Sequence, residues 1–139
     1  MAEYLWNKLR NFSTGVADTS DNTLFIGEEL RNQQGYMVPA LERFNTVTKK
    51  ALGKTSFIPD DDLLYAPAVT PDGKYLYVAV SPDIIIVDTA TQQAVGKPIP
   101  IVAAGCVAIV PNGKYAYVGD DVGAPNSYGV LFVIAISAQ

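Results

Sequence analysis

The chain of 139 residues contains no histidine. That removes the commonest general base, the commonest imidazole metal ligand, and every nucleophile arrangement that depends on a neighbouring imidazole. Cysteine occurs once, at Cys106, so no internal disulfide can form and no oxidising compartment is implied. With one thiol and no imidazole, the usual zinc and copper donor sets cannot be assembled. Basic residues are also scarce: ten Lys and Arg face fourteen Asp and Glu, for a net charge of −4. The imbalance lies in the second half, where residues 61–139 carry three basic and seven acidic groups. A nucleic-acid surface needs a basic stripe, and none is present. No apolar run approaches the roughly 20 residues a membrane helix requires, and Met1-Ala-Glu-Tyr4 lacks the basic start and apolar stretch of a signal peptide.

What the chain does contain is an internal echo. Pro71-Asp-Gly-Lys-Tyr-Leu-Tyr-Val78 returns forty residues later as Pro111-Asn-Gly-Lys-Tyr-Ala-Tyr-Val118, with six of eight positions identical. Pro-Asp-Gly and Pro-Asn-Gly are turn chemistry: proline presets φ, while Asp, Asn and Gly accept tight or left-handed positions. The alternating Tyr75, Tyr77 and Tyr115, Tyr117 that follow have the period of strands. Apolar runs at 66–70 and 107–110 predict the preceding strands; 84–88, 94–101 and 130–136 predict later ones.

A second echo reaches further back. Thr46-Val-Thr-Lys-Lys-Ala-Leu-Gly-Lys54 matches Thr89-Ala-Thr-Gln-Gln-Ala-Val-Gly-Lys97 at five of nine positions. It places Phe44-Asn45 opposite Val87-Asp88, and Leu24-Phe-Ile26 opposite Leu76-Tyr-Val78. Between them lies an insertion, Glu28 to Val38, with helical character. A repeat of this length is that of one β-propeller blade. The chain is therefore expected to be all-β, a partial β-propeller of about three four-stranded blades. Residues 15–60, 61–101 and 102–139 form the blades, and the last lacks its own fourth strand. Residues 1–14 are an extension that forms either a helix or a closing strand.

The stretch T-P-D-G-K-Y-L-Y-V-A-V, followed by I-I-I-V-D-T-A-T and G-K-P-I-P-I, resembles the YVTN β-propeller repeat, a family related to surface-layer and lactonase-like propellers. The tetrapeptide positions read Tyr77-Val-Ala-Val80, Tyr117-Val-Gly-Asp120 and Phe25-Ile-Gly-Glu28, so the family's asparagine is absent in all three. The resemblance implies a cell-surface or periplasmic setting.

Propellers close with roughly four to eight blades. Three leave faces and edges uncovered, which predicts completion by copies of the chain, by a larger protein assembly, or within a longer protein. Function is accordingly expected to be structural: an interaction module that binds partners through its loops, without a cofactor, nucleic acid or membrane insertion. The alternative is a lactonase-like or lyase-like enzyme, with acidic residues and a divalent cation at a central channel.

Asp120, Asp121, Asn126 and Tyr128, in the longest loop of the third blade, are the candidate binding residues, because propeller loops are positioned by rigid blades. No catalytic residue or metal ligand is assigned. Asp60-Asp-Asp62 lacks the spacing of a calcium loop and reads as a solvated connector. Arg43, Lys49, Lys50 and Lys54 read as a solvated hairpin, and Cys106 as a small buried hydrophobe. The four repeated tyrosines read as core packing, one of each pair to each interface between blades.

Overall fold

The computed structural model describes residues 16–18, 21–55, 63–120 and 129–137. Every regular element among them is an antiparallel strand. The first sheet comprises β1 (Val16–Asp18), β2 (Thr23–Arg31), β3 (Met37–Asn45) and β4 (Ala51–Thr55). The second holds β5 (Leu63–Val69), β6 (Tyr75–Ser81), β7 (Asp83–Asp88) and β8 (Ile99–Pro100). The third has three strands, β9 (Ala104–Ile109), β10 (Tyr115–Asp120) and β11 (Leu131–Ala135). Within each sheet, strands consecutive in sequence are neighbours. The sheets stack in chain order: β5 packs on β1 and β2 on one side and on β9 on the other. Among the described residues the stack does not close into a ring, and the architecture is that of a partial β-propeller.

The central sheet is buried on both faces, so Leu76 to Val80 are withdrawn from water without a break. Alternation sorts them. Leu76, Val78 and Val80, with Ile85 and Val87, pack towards Phe25 and Leu41 of the first sheet. Tyr77, Ala79 and Ile84 pack towards Ala104, Ala116 and Val118 of the third. Each large side chain in these layers stabilises the stack by roughly 1.5–3 kcal/mol.

Both sequence echoes become equivalent turns. Asn45 Oδ1 accepts hydrogen bonds from the amides of Val47 (3.0 Å) and Thr48 (2.7 Å). Asp88 Oδ1 accepts them from Ala90 (2.9 Å) and Thr91 (2.7 Å). Lys49 and Gln92 then take the left-handed conformation, with φ of 60° and 59°. Thr46 and Thr89 tie these turns to the preceding ones, their amides donating to the carbonyls of Asn22 (2.8 Å) and Lys74 (2.9 Å).

Several expectations are corrected. The insertion at 28–38 is not helical: β2 and β3 run on through it and pair from Thr23↔Asn45 to Arg31↔Met37. Asn32 closes this hairpin, its Oδ1 accepting from the amides of Gln34 and Tyr36, both at 3.0 Å. Backbone pairing to an adjacent strand outweighs the helix propensity of Glu28-Glu-Leu-Arg31. The fourth strand of the second sheet is not continuous over 94–101. It is a single bridge at Ala94 and the short β8, separated by Gly96 at φ 73° and Pro98, which has no amide to donate. Tyr75 and Tyr77 do not divide between interfaces. Two residues apart on one strand, they share a face and both pack towards the third sheet. Cys106 is exposed, because its face of β9 points away from the second sheet. Residues 1–14, Asp60-Asp-Asp62, Asp121, Asn126 and Tyr128 lie outside the described residues.

Candidate functional site

Asp120, the described member of the four candidate contact residues, ends β10. Its Oδ1 accepts a hydrogen bond from the Val130 amide (2.8 Å), and its own amide donates to the Val130 carbonyl (3.2 Å). Asp120 thus closes the neck of the loop that contains the other three.

A second site was hidden in the repeat itself. The Pro71-Asp-Gly-Lys and Pro111-Asn-Gly-Lys turns come side by side where the second and third sheets stack, and between them opens a cleft of 440 Å³. Tyr75, Tyr77, Ile86 and Ile136 give it apolar walls, while Thr70, Asp72, Lys74, Asn112, Lys114 and Ser137 supply polar groups. Gly73 and Gly113 adopt φ of 72° and 69°, the left-handed region that a side chain would strain. Each turn is tied back by paired bonds: the Thr70 amide donates to the Tyr75 carbonyl (2.8 Å) and the Val110 amide to the Tyr115 carbonyl (3.0 Å). In the cleft wall, the Ile136 amide donates to the Lys114 carbonyl (2.9 Å), anchoring the chain after β11.

The two turns differ electrostatically. Asp72 Oδ1 accepts from the Thr70 hydroxyl (2.6 Å) and the Lys74 amide (3.1 Å), and the same hydroxyl oxygen accepts from the Tyr75 amide (3.0 Å). These bonds, the Thr70 hydroxyl foremost, hold the Asp72 carboxyl below its ordinary value. In the third blade Asn112 accepts from the Lys114 amide (2.9 Å), and Val110 stands where Thr70 does. Burial pushes the Tyr77 phenol above its ordinary value, with a smaller contribution from Tyr75.

The cleft offers groups that recognition can use. Asp72, the carboxylate of the cleft, is already engaged by two donors and held in its charged form, which makes it a poor proton acceptor. Aromatic walls under a rim of two exposed lysines suit a ligand or peptide segment with an apolar body and a negative group. No group of three or more His, Cys, Asp or Glu side chains comes together among the described residues. Lys54, read from sequence as part of a solvated basic hairpin, instead pairs with Glu28 and, at 3.8 Å, with Glu42, both buried. No helix among the described residues is long and apolar enough to cross a membrane.

No protein-family model matches the chain. No curated protein matches it in sequence. Solved structures do resemble it, and they are β-propellers. Hydrazine synthase of Kuenenia stuttgartiensis matches over 90% of this chain and 32% of its own, with 29% identity and a TM-score of 0.68. TolB from Acinetobacter baumannii matches over 91% of this chain and 30% of its own, at 13% identity and a TM-score of 0.59. A chain of the mitotic checkpoint complex matches over 79% and 31%, at 14% identity and a TM-score of 0.58. The chain therefore spans about a third of the length of these propeller proteins.

Proposed function

We propose that this chain is a structural and interaction module of the propeller class, one that self-assembles or completes a larger propeller and binds a partner through its loops. The observation that carries this reading is the unclosed stack of three sheets, about a third of the length of the propellers it resembles. Recognition falls to two surfaces at opposite ends of β10. One is the loop whose neck Asp120 closes, with Asp121, Asn126 and Tyr128 as its contact residues. The other is the cleft between the repeated turns. Light scattering and native mass spectrometry of the purified chain test the assembly. Oligomers are expected, and a monomer that persists at every concentration would remove self-assembly from this reading.

A further inference from the structure

The two turns that rim the cleft, Pro71-Asp-Gly-Lys74 and Pro111-Asn-Gly-Lys114, differ in one residue. That residue decides the charge of the space between them. Lys74 has Asp72 in its own turn, whereas Lys114 has Asn112 at the same place and forms no ion pair among the described residues. With two lysines against one carboxylate, the lining keeps a positive charge over. Its hydrogen-bonding groups are unequal in the same sense. Thr70 Oγ, Asp72 Oδ1 and Asn112 Oδ1 each already accept a main-chain amide, at 3.0, 3.1 and 2.9 Å. Donors are left over: the two ammonium groups, the Asn112 side-chain amide and the Ser137 hydroxyl make no hydrogen bond among the described residues.

The deepest of these donors is a phenol. Tyr77 is 4% exposed and lines the cleft, and its hydroxyl has no hydrogen-bond partner among the described residues. The hydroxyl is not sealed off, since among the described residues the unbonded polar side-chain atom wholly withdrawn from solvent is Arg43 Nε. It therefore opens on the cleft. Packing between the sheets does not require it. Phe25, 2% exposed, holds the same place in the first blade, paired with Arg43 as Tyr77 is with Ile86. Tyrosine at this position thus adds a donor to be met from within the cleft.

We propose that the cleft binds a single carboxylate carried on an aromatic body. The carboxylate takes the Tyr77 hydroxyl as donor and the uncompensated Lys114 as counter-ion, while Tyr75, Ile86 and Ile136 hold the ring. One surplus positive charge matches one carboxylate. A phosphate monoester carries a charge of about −1.5 to −2 and would face Asp72 as well. The volume, 440 Å³, lies towards the lower end of ligand pockets and admits a small acid or the last residue of a peptide. The repeat also gives a following segment of chain a different place. In the second blade the chain leaving Thr89, the counterpart of Ile136, returns to the edge of its own sheet, where the Val95 amide donates to the Ile86 carbonyl (2.8 Å). The proposal rests on the reading of the cleft as a recognition surface and gives it a ligand class.

Titration of the full chain, followed by amide NMR, tests it. Phenylpropanoate should shift the signals of Gly73, Lys74, Gly113 and Lys114 with a Kd of about 1 mM or below. Phenylpropanamide, phenyl phosphate and inorganic phosphate should not. A peptide ending in a free phenylalanine carboxylate that binds at least about tenfold tighter than phenylpropanoate identifies the ligand as a chain terminus, and equal or weaker binding identifies a free acid. Tyr77→Phe should weaken phenylpropanoate by about fivefold to tenfold, without loss of thermal stability, because Phe25 serves the same position. Asn112→Asp should weaken it by at least about tenfold, and Asp72→Asn should strengthen it; each puts into one turn the residue that the repeat already uses in the other. No shift at about 10 mM phenylpropanoate overturns the proposal. So does phenyl phosphate bound as tightly, or a carboxylate bound equally by wild type, Tyr77→Phe and Asn112→Asp. These outcomes leave the assembly reading intact, since light scattering reads it separately. A persistent monomer that binds phenylpropanoate removes self-assembly and keeps the cleft.

Discussion

Pro71 of one repeated turn lies across Gly113 of the other. A Cβ placed on Gly113 would stand 3.4 Å from Pro71 Cδ and 3.6 Å from Cγ. The two copies of the sequence echo thus touch each other, and the rim of the cleft is made where the repeat meets itself.

The contact leaves room for a methyl group, but the backbone does not favour one: Gly113 has φ +69°. Gly113→Ala is therefore expected to cost about 1–2 kcal/mol through the left-handed conformation alone. Removing the proline ring in a Pro71→Ala, Gly113→Ala double variant should recover little of it. Urea unfolding of the three proteins checks this. Substantial recovery by Pro71→Ala would show that steric contact, not φ, is the cause.

Acid sensitivity should reside in the second blade. The Asp72 carboxyl is held below its ordinary value of 3.8, first by the Thr70 hydroxyl and then by the Lys74 amide. A group depressed on folding binds fewer protons in the native state. Its contribution to stability is therefore present above the ordinary carboxylate range and lost as pH falls through the lower native value. Asp72→Asn should flatten this part of the acid-unfolding curve by removing the same contribution near neutrality, while keeping an acceptor for the Lys74 amide as Asn112 does for Lys114 in the third blade. Thr70→Val should move the Asp72 titration back towards its ordinary position. NMR titration of the Asp72 carboxyl would record both effects, and an unmoved titration in Thr70→Val would refute the assignment of cause.

The ion pairs of the first blade give a third prediction. Lys54 bonds Glu28 and lies 3.8 Å from Glu42, and the lysine side chain is 44% exposed. Removing one partner of a buried pair costs about 3–5 kcal/mol, and the exposure of Lys54 brings the figure for Lys54→Met to roughly 1–3 kcal/mol. Glu28→Gln should recover part of that loss in the double variant. Thermal unfolding of the cycle measures it, and additive losses would show that the two groups are not coupled.

Much of the fold could be read from the sequence because turns and strands are local. The alternation around Tyr75–Val80 and the Asn45 and Asp88 turns are set by residues within a few positions of one another. Features made by contact between repeats could not be read this way. Spacing alone does not say that the turns at 71–74 and 111–114 lie side by side, so the cleft and its lysines went unseen, although the repeated Pro-x-Gly-Lys was its signal. The apolar run around Cys106 predicts a strand but not which of its faces a neighbouring sheet covers. At 28–38, helix-forming residues obscured a hairpin that long-range pairing imposes.

The third sheet contains a steric test of a different kind from the one at Gly113. Gly119 is not in the left-handed region, yet a Cβ there would come within 2.9 Å of Cys106 Sγ. Ala79 holds the equivalent place in the second blade, so the backbone itself accepts a methyl group. The sulfur ends an exposed side chain that can turn aside, so Gly119→Ala should destabilise the chain by only about 0.5–1 kcal/mol, the cost of pushing Cys106 off its rotamer. Cys106→Ala removes the sulfur and should by itself have a small effect at an exposed position. In the Cys106→Ala, Gly119→Ala double variant most of the loss should return. Denaturant unfolding at dilution, where the monomer dominates, isolates this from association. A loss that persists without the sulfur would mean that Gly119 is required by the irregular pairing of β9 and β10 between Gly119 and Asp120, and not by the thiol beside it.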